Sequence, residues 1–380
     1  MDPAIRLLRE LVAINSVNPS LVPDAPGERE IAEVVATHLR QLGMDVEMQE
    51  VAPGRANVVG MRAGRNSGRS LMFCGHIDTV GVAGMSAPFD PVVRSGRVYG
   101  RGAQDMKGGV AAMIDAVRLI TSDPDPTGTL IVAAVVDEEF ASAGADALVS
   151  RWRADGAIVT EPTDLQIGIG HKGFAWFEVE TKGVAAHGSR PLDGRDAIFR
   201  MGRVLNALEA LDRDLQRRPP HPLMGTASLH ASLIEGGREW SSYPDRCSLK
   251  LERRTIAGET GASVDGELAE ILDGLKDADL EFEASHRRIF ARPHYEISSQ
   301  HPLPRALAGA VGRAIDVEPR LSGMSFWTDA AILGQAGTPA VLFGPGGEGL
   351  HGTEEYVRID EVVACRDALA AFARDWLAEK

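Results

Sequence analysis

The sequence predicts an α/β protein, a large layered domain around a central, mostly parallel sheet with a smaller α+β domain inserted into it. Nearly continuous apolar runs at "SLMFCGHIDT" (70–79), "TLIVAAVVDEE" (129–139) and "GAIVTE" (156–161) read as strands buried on both faces. Segments with helical apolar spacing alternate with these runs, as a layered α/β domain requires. Between about 174 and 288 the pattern changes to strands that alternate apolar and polar residues, so one face of that sheet is covered and the other is open.

Residues 3–14 and 28–42 have the spacing of amphipathic helices, the second closed by Gly43. "MKGGVAAMIDAVRLI" (106–120) and "SAGADALVSRWR" (142–153) are the helices between and after the buried strands. The same alternation returns with a helix at 303–315, the strand "TPAVLFG" (338–344) and a long helix at 360–378. Within the inserted segment the order is strand (174–183), helix (196–211), strand (227–237), strand (246–255), helix (263–275) and strand (280–288). This β-α-β-β-α-β order is the ferredoxin-like arrangement. The expected boundaries are therefore 1–173 with 289–380 for the large domain and 174–288 for the inserted one.

A formal net charge of −14 excludes a nucleic-acid surface, because nothing offsets phosphate repulsion. Cys74, Cys247 and Cys365 are far apart and form no CxxC pair, the usage of a reducing compartment. "MDPAIRLLRELVAIN" has neither the basic segment nor the uninterrupted apolar segment of a signal peptide. No apolar run approaches the roughly 20 residues of a membrane span. The expected location is the cytoplasm, with no membrane partner.

The proposed strands end in residues able to bind metal. His76 and Asp78 lie two apart in "FCGHIDTV", on one side of an extended chain. Asp105 sits in the Gly-rich "GRGAQDMKGG", Glu138 and Glu139 in "VVDEEF", Glu161 in "IVTEP", and His351 in "GPGGEGLHGTEEYV". Each motif alone is weak, since a single HxD or a carboxylate run after a strand is usually a solvated turn. Together they fall outside the carboxyl ends of strands, where open α/β sheets bind ligands. A set of two histidines and several carboxylates suits zinc, and cobalt or manganese less well.

As an ordered set, "GHIDTV", "GRGAQDMKGG", "VVDEEF", "TEP", "GVAAHGSRP", "ERRTIAGE" and "GPGGEGLHGTEEYV" resemble the dizinc aminoacylase and carboxypeptidase G family. That family includes acetylornithine deacetylase and succinyl-diaminopimelate desuccinylase. The resemblance runs essentially end to end and implies a catalytic α/β domain with an inserted lid or dimerisation domain. It implies that Asp105 bridges two Zn²⁺ ions (Co²⁺ or Mn²⁺ being possible), with His76 and Glu161 completing one site and Glu139 and His351 the other. Asp78 would fix the tautomer of His76. Glu138 would be the general base, taking a proton from the attacking water and passing it to the leaving amine, while Asp137 supports the turn.

In the inserted domain, the resemblance implies that His187 reaches the partner subunit's active site and stabilises the oxyanion, which requires a homodimer. Arg254 would bind the substrate carboxylate; Arg253 and Arg254 alternate along the strand, so one of the two is expected to be merely solvated. One departure stands out. "EGGREWSSYPDRC" carries Ser241 where many members have asparagine, with Trp240 and Tyr243 as a possible aromatic wall. "GMSFWTDAAIL" (323–333) reads as a substrate-side segment. The implied activity is removal of an N-acyl group from a small N-acyl amino acid. A dipeptidase or glutamate-type carboxypeptidase is the alternative, and a non-catalytic metal-binding homologue the second alternative.

Overall fold

The computed structural model describes residues 1–64, 66–82, 84–121, 127–315 and 318–379. The chain divides into two compact units, the first made of Met1–Ile169, Ile297–Ser322 and Thr328–Lys380, the second of Gly170–Glu296 and Gly323–Trp327.

The first unit is built on a sheet whose strand order is Asp45–Ala52, Arg55–Ala63, Thr127–Val135, Asn66–His76, Gly156–Val159, Ala340–Leu342 and Ile167–His171. The four strands from Thr127–Val135 to Ala340–Leu342 in that order are mutually parallel, and antiparallel strands flank them. The continuous apolar runs are the parallel strands, buried on both faces as a parallel sheet demands. Helix Gly108–Ile120 is almost wholly buried, and Ile359–Ala378 packs beside it. Helix Pro3–Ala13 starts with proline at its first position, and the Asp2 carboxylate accepts the Ala4 N–H at 2.8 Å. The apolar run at 129–139 does not stay extended to its end. The strand stops at Val135, and Asp137 turns the chain with a φ of 70°.

In the second unit, strands Gly173–Lys182, Ser228–Gly236, Arg246–Thr255 and Glu283–Arg292 form an antiparallel sheet. The spatial order is Ser228–Gly236, Arg246–Thr255, Gly173–Lys182, Glu283–Arg292. Helices Ala197–Arg217 and Gly261–Ala278 cover one face, where Phe177, Val179, Leu249 and Leu251 pack against Val204 and Leu268. The other face carries the polar and aromatic residues of the alternation. Among the described residues, no helix is long and apolar enough to cross a membrane.

The paired glycines of "DMKGG" follow from packing. A Cβ at Gly109 would lie 1.9 Å from the Thr160 carbonyl oxygen, a backbone atom that cannot give way. The helix carrying the motif is thus pressed onto the end of strand Gly156–Val159. Gly109→Ala is expected to lower stability by about 1–3 kcal/mol, the usual cost of overpacking, read as a lower urea midpoint at unchanged slope.

Candidate metal centre

Parallel pairing aligns the strand ends. His76 is in register with Val135, Cys74 with Val159, and Val159 with Leu342. The residues that follow those ends therefore emerge along one edge: His76, the Glu138–Glu139 turn, Glu161 and the loop leading to His351. Asp105 reaches the same edge from the segment before helix Gly108–Ile120, next to a cis Asp105–Met106 peptide.

The side chains converge. His76 Nε2 lies 3.0 Å from Asp105 Oδ1 and 3.8 Å from Glu138 Oε2. His351 Nε2 lies 3.4 Å from Asp105 Oδ2 and 3.1 Å from Glu139 Oε2. Asp105 thus presents one carboxylate oxygen to each histidine. Two triads have potential ligand atoms within 4.8 Å of one another, His76–Asp105–Glu139 and His76–Glu138–Glu161. Glu138, expected to stay free of metal, is thus itself a potential ligand in the second triad, which does not include Asp105.

Three supports hold this arrangement. His76 Nδ1 lies 3.0 Å from the Asp78 carbonyl. A carbonyl only accepts, so Nδ1 carries the hydrogen and Nε2 faces Asp105. The carbonyl is the closer partner, because the Asp78 carboxylate stands 3.5 Å away. That carboxylate instead accepts the backbone N–H groups of Glu138 at 3.1 Å and Glu139 at 3.2 Å, and the Asn18 amide at 2.8 Å. Asp78 therefore ties the histidine to the glutamate turn.

Asp137 anchors the same turn from below, accepting from Arg55 at 2.9 Å and Asn18 at 3.1 Å. Arg55 is shared with the buried Glu28. Glu355 supports the Asp105 segment. Its carboxylate accepts from the backbone of Gly102, Gln104 and Asp105 at 2.9–3.1 Å and pairs with buried Arg101 at 2.6 Å. Asn18, Arg55 and Glu355 are absent from the expectations of the sequence. The only signal for Glu355 was a second carboxylate in "TEEY", four residues after His351.

The electrostatics follow from crowding acids in a dry place. Burial pushes the Glu138 and Glu161 carboxyls well above the ordinary range, and neighbouring carboxylates including Asp329 push further, while His76 opposes. Burial and Asp105 raise Glu139 to about 7. Burial works to lower the His76 value, but its hydrogen bonds to Asp105 and Asp78 outweigh it and raise that value well above a free histidine. The hydrogen bonds to Asp105 and Glu139 raise His351 to about 10. The crowded carboxylates thus favour positive charge at this edge.

The remaining expected residues lie in the second unit. His187 is exposed, with Nδ1 2.8 Å from Ser189 Oγ, and it forms a β-bridge with Ser242. The Gly188 N–H donates to the Ser241 carbonyl at 2.7 Å, so Ser241 acts on this segment through its backbone. Trp240 is fully exposed and supplies no wall within its own unit. Arg254 is on the open face of the sheet, its Nε 2.7 Å from Glu252. Neither arginine is merely solvated. Arg253 points to the helix side, is 1 % exposed and pairs with Glu259 and Glu267, a buried ion pair that sequence alternation alone does not reveal.

A family model described as Peptidase family M20/M25/M40 matches residues 72–375. Acetylornithine deacetylase from Myxococcus xanthus is 32% identical, over 97% of this chain and 96% of its own length. The N-formyl-4-amino-5-aminomethyl-2-methylpyrimidine deformylase of Bacillus subtilis is 29% identical, over 100% of this chain and 96% of its own. Among solved structures, an M20 family metallo-carboxypeptidase from Sulfolobus solfataricus superposes with a TM-score of 0.80 at 18% identity, covering 99% of this chain and 100% of its own. The α/β fold with its mostly parallel central sheet is the one those structures share, and the chain belongs to peptidase family M20/M25/M40.

Proposed function

We propose that the protein is a dinuclear metal amidohydrolase that removes the N-acyl group of an N-acyl amino acid. The observation that carries this reading is Asp105, with one oxygen toward His76 and the other toward His351. The relatives 32% and 29% identical are named as a deacetylase and a deformylase, which favours a deacylase over a peptidase.

The donor set fits two divalent ions. Four carboxylates crowd two imidazoles, and Glu139 Oε1 is buried without a hydrogen-bond partner among the described residues. His76 and Glu161 would hold one ion, Glu139 and His351 the other, and Asp105 both. Mixed imidazole and carboxylate ligands favour zinc, with cobalt or manganese as substitutes. Such ions would polarise the scissile carbonyl and acidify the attacking water.

Glu138 takes the proton from that water and delivers it to the leaving amine. Asp78 keeps His76 and the glutamate turn in place. The domain reading follows the two units, the first being the catalytic domain and the second a lid that pairs two subunits. The second extends past the expected 174–288, to Gly170–Glu296 and Gly323–Trp327, because strand Glu283–Arg292 belongs to its sheet. Strand Ser228–Gly236 supports the pairing, being a sheet edge with Leu233 and Ile234 exposed. His187 then serves the partner's oxyanion, and Arg254 the substrate carboxylate. Three unpaired, buried cysteines support a cytoplasmic location.

Turnover of a panel of N-acetyl, N-formyl and N-succinyl amino acids by zinc-loaded protein tests the activity. Metal analysis should give two ions per chain, and chelation should abolish turnover reversibly. Glu138→Gln should retain both ions yet lose turnover by a factor on the order of 10² to 10⁴. Glu139→Gln should lose one ion and Asp105→Ala both. The reverse pattern of metal loss in the two glutamate variants would exchange their roles.

A pH effect follows from Glu139. An acid whose folded pKa is raised, here to about 7, contributes full stability below its unfolded value, lost as pH rises through the folded one. Ion binding removes that loss. The melting temperature gained on adding zinc should therefore be larger near about pH 8 than near about pH 5, and an equal gain at both contradicts the arrangement.

His187→Ala and Glu138→Ala should each be inactive alone, and mixing the two chains should restore turnover in mixed dimers. A fully active monomer contradicts the lid reading.

A further inference from the structure

The glutamate turn is gripped from a neighbouring strand. Strand Arg55–Ala63 runs antiparallel to Thr127–Val135, with Val58 opposite Ala134 and Val59 opposite Ala133. The same register, carried to the start of the strand, sets Asn57 opposite Val135 and Arg55 opposite Asp137. Arg55 and Asn57, two apart, lie on one side of the extended chain. Asn57 accepts the Val136 N–H at 3.1 Å and donates to the Gly144 carbonyl at 2.8 Å, at the two ends of the turn. Arg55 takes the side chain between them, donating to Asp137 at 2.9 Å.

Asp137 passes that hold to the backbone. Its second oxygen accepts the Ala143 N–H at 3.3 Å, so one carboxylate spans the turn. Glu138 and Glu139 are the first residues inside that span. The Asn18 amide donates to Asp137 at 3.1 Å and to Asp78 at 2.8 Å. It thereby joins the grip of Arg55 to the carboxylate that accepts both glutamate N–H groups.

The guanidinium has a further partner. Its Nε donates to Glu28 Oε2 at 2.8 Å, its Nη2 to Glu28 Oε1, and its Nη1 to Ser20 Oγ at 3.2 Å. Glu28 is wholly buried just before helix Arg29–Gln41, and Asp137 is 4 % exposed. Two buried carboxylates on one cation fix its position from two sides. A planar fork serves both at once, and the point charge of a lysine has no such fork.

We infer that Arg55 is a positioning residue of the metal centre, acting through Asp137 on the direction of the Glu138–Glu139 turn and thereby on the grip of the ion that the turn holds. Under the two-ion reading above, on which this rests, that ion is the one of Glu139 and His351. His76 and Glu161 are carried instead by the ends of strands Asn66–His76 and Gly156–Val159, so their ion should not depend on Arg55.

The test strips the full-length protein of metal and titrates it with zinc against a chromophoric chelator, which resolves two binding steps without any turnover. Arg55→Lys keeps a charge beside both buried carboxylates but loses the fork. It should weaken one step about ten- to hundredfold, the usual cost of disturbing a group behind a metal ligand, and spare the other. Asp137→Asn should weaken the same step, and the double variant no more than the stronger single one, as residues acting in series require. Glu28→Gln alters the partner that does not face the turn. It should lower the melting temperature and leave both zinc steps unchanged, a contrast that a merely structural role for Arg55 would not produce. Unchanged zinc binding in Arg55→Lys, equal weakening in Glu28→Gln, or additive losses in the double variant overturns the proposal. Failure of the reading above looks different: if Glu138 is a ligand too, Arg55→Lys weakens both steps while Glu28→Gln still weakens neither, and if the site takes one ion, the unaltered protein shows a single step.

Discussion

The first unit depends on one unfavourable interaction that its fold enforces, the repulsion among Asp105, Glu138, Glu139 and Glu161. A buried carboxylate is costly, and a neighbouring carboxylate makes it worse. Burial first, and then the crowding of carboxylates at one sheet edge, raises the proton affinity of the three glutamates, and hydrogen bonds to carboxylates raise that of both histidines. Side chains alone would relieve this by rotating into water. They are prevented because each rides on a segment fixed elsewhere: the glutamate turn on Asp78 and Asp137, the Asp105 segment on Glu355 and Lys107. Lys107 is itself buried, its ammonium 2.8 Å from the Ile14 carbonyl. A set of acids held together against its own repulsion is preorganised for cations.

The three consecutive carboxylates after strand Thr127–Val135 show how neighbouring residues of one type acquire different tasks. Asp137 adopts a positive φ, turns inward and meets Arg55 and Asn18. The turn then sends Glu138 toward His76 and Glu139 toward His351. Both glutamate N–H groups are held by one carboxylate, Asp78, so any shift of that turn moves both side chains together. The proposed separation of ligand from base would thus rest on backbone geometry.

The layered fold and the strand-end acids were legible because both are local patterns: continuous apolar runs, and polar residues where those runs stop. His76, Asp78, Asp105, Glu138, Glu139, Glu161 and His351 could be named as a group on that basis, and only the resemblance carried by the ordered motifs divided them into ligands, base and support. What the sequence could not disclose is pairing between distant segments. Glu355 meets Gln104 and Asp105 across some 250 residues, and Arg55 meets Asp137 across 82. A carboxylate in "TEEY" or an arginine in a hairpin has the composition of a solvated surface until the fold brings its partner. Arg253 and Arg254 illustrate the same limit. Alternation says that they face opposite ways, but only the helix carrying Glu267 decides that one is a buried ion pair.

The crowded edge is proposed to be a two-ion site shared through Asp105. Anomalous scattering from a crystal of the zinc-loaded protein tests it most directly. Two peaks are predicted, about 3.5–4 Å apart, one at bonding distance from His76 and Glu161, the other from Glu139 and His351, and both from Asp105. A single peak, or two peaks that do not share Asp105, would contradict the account.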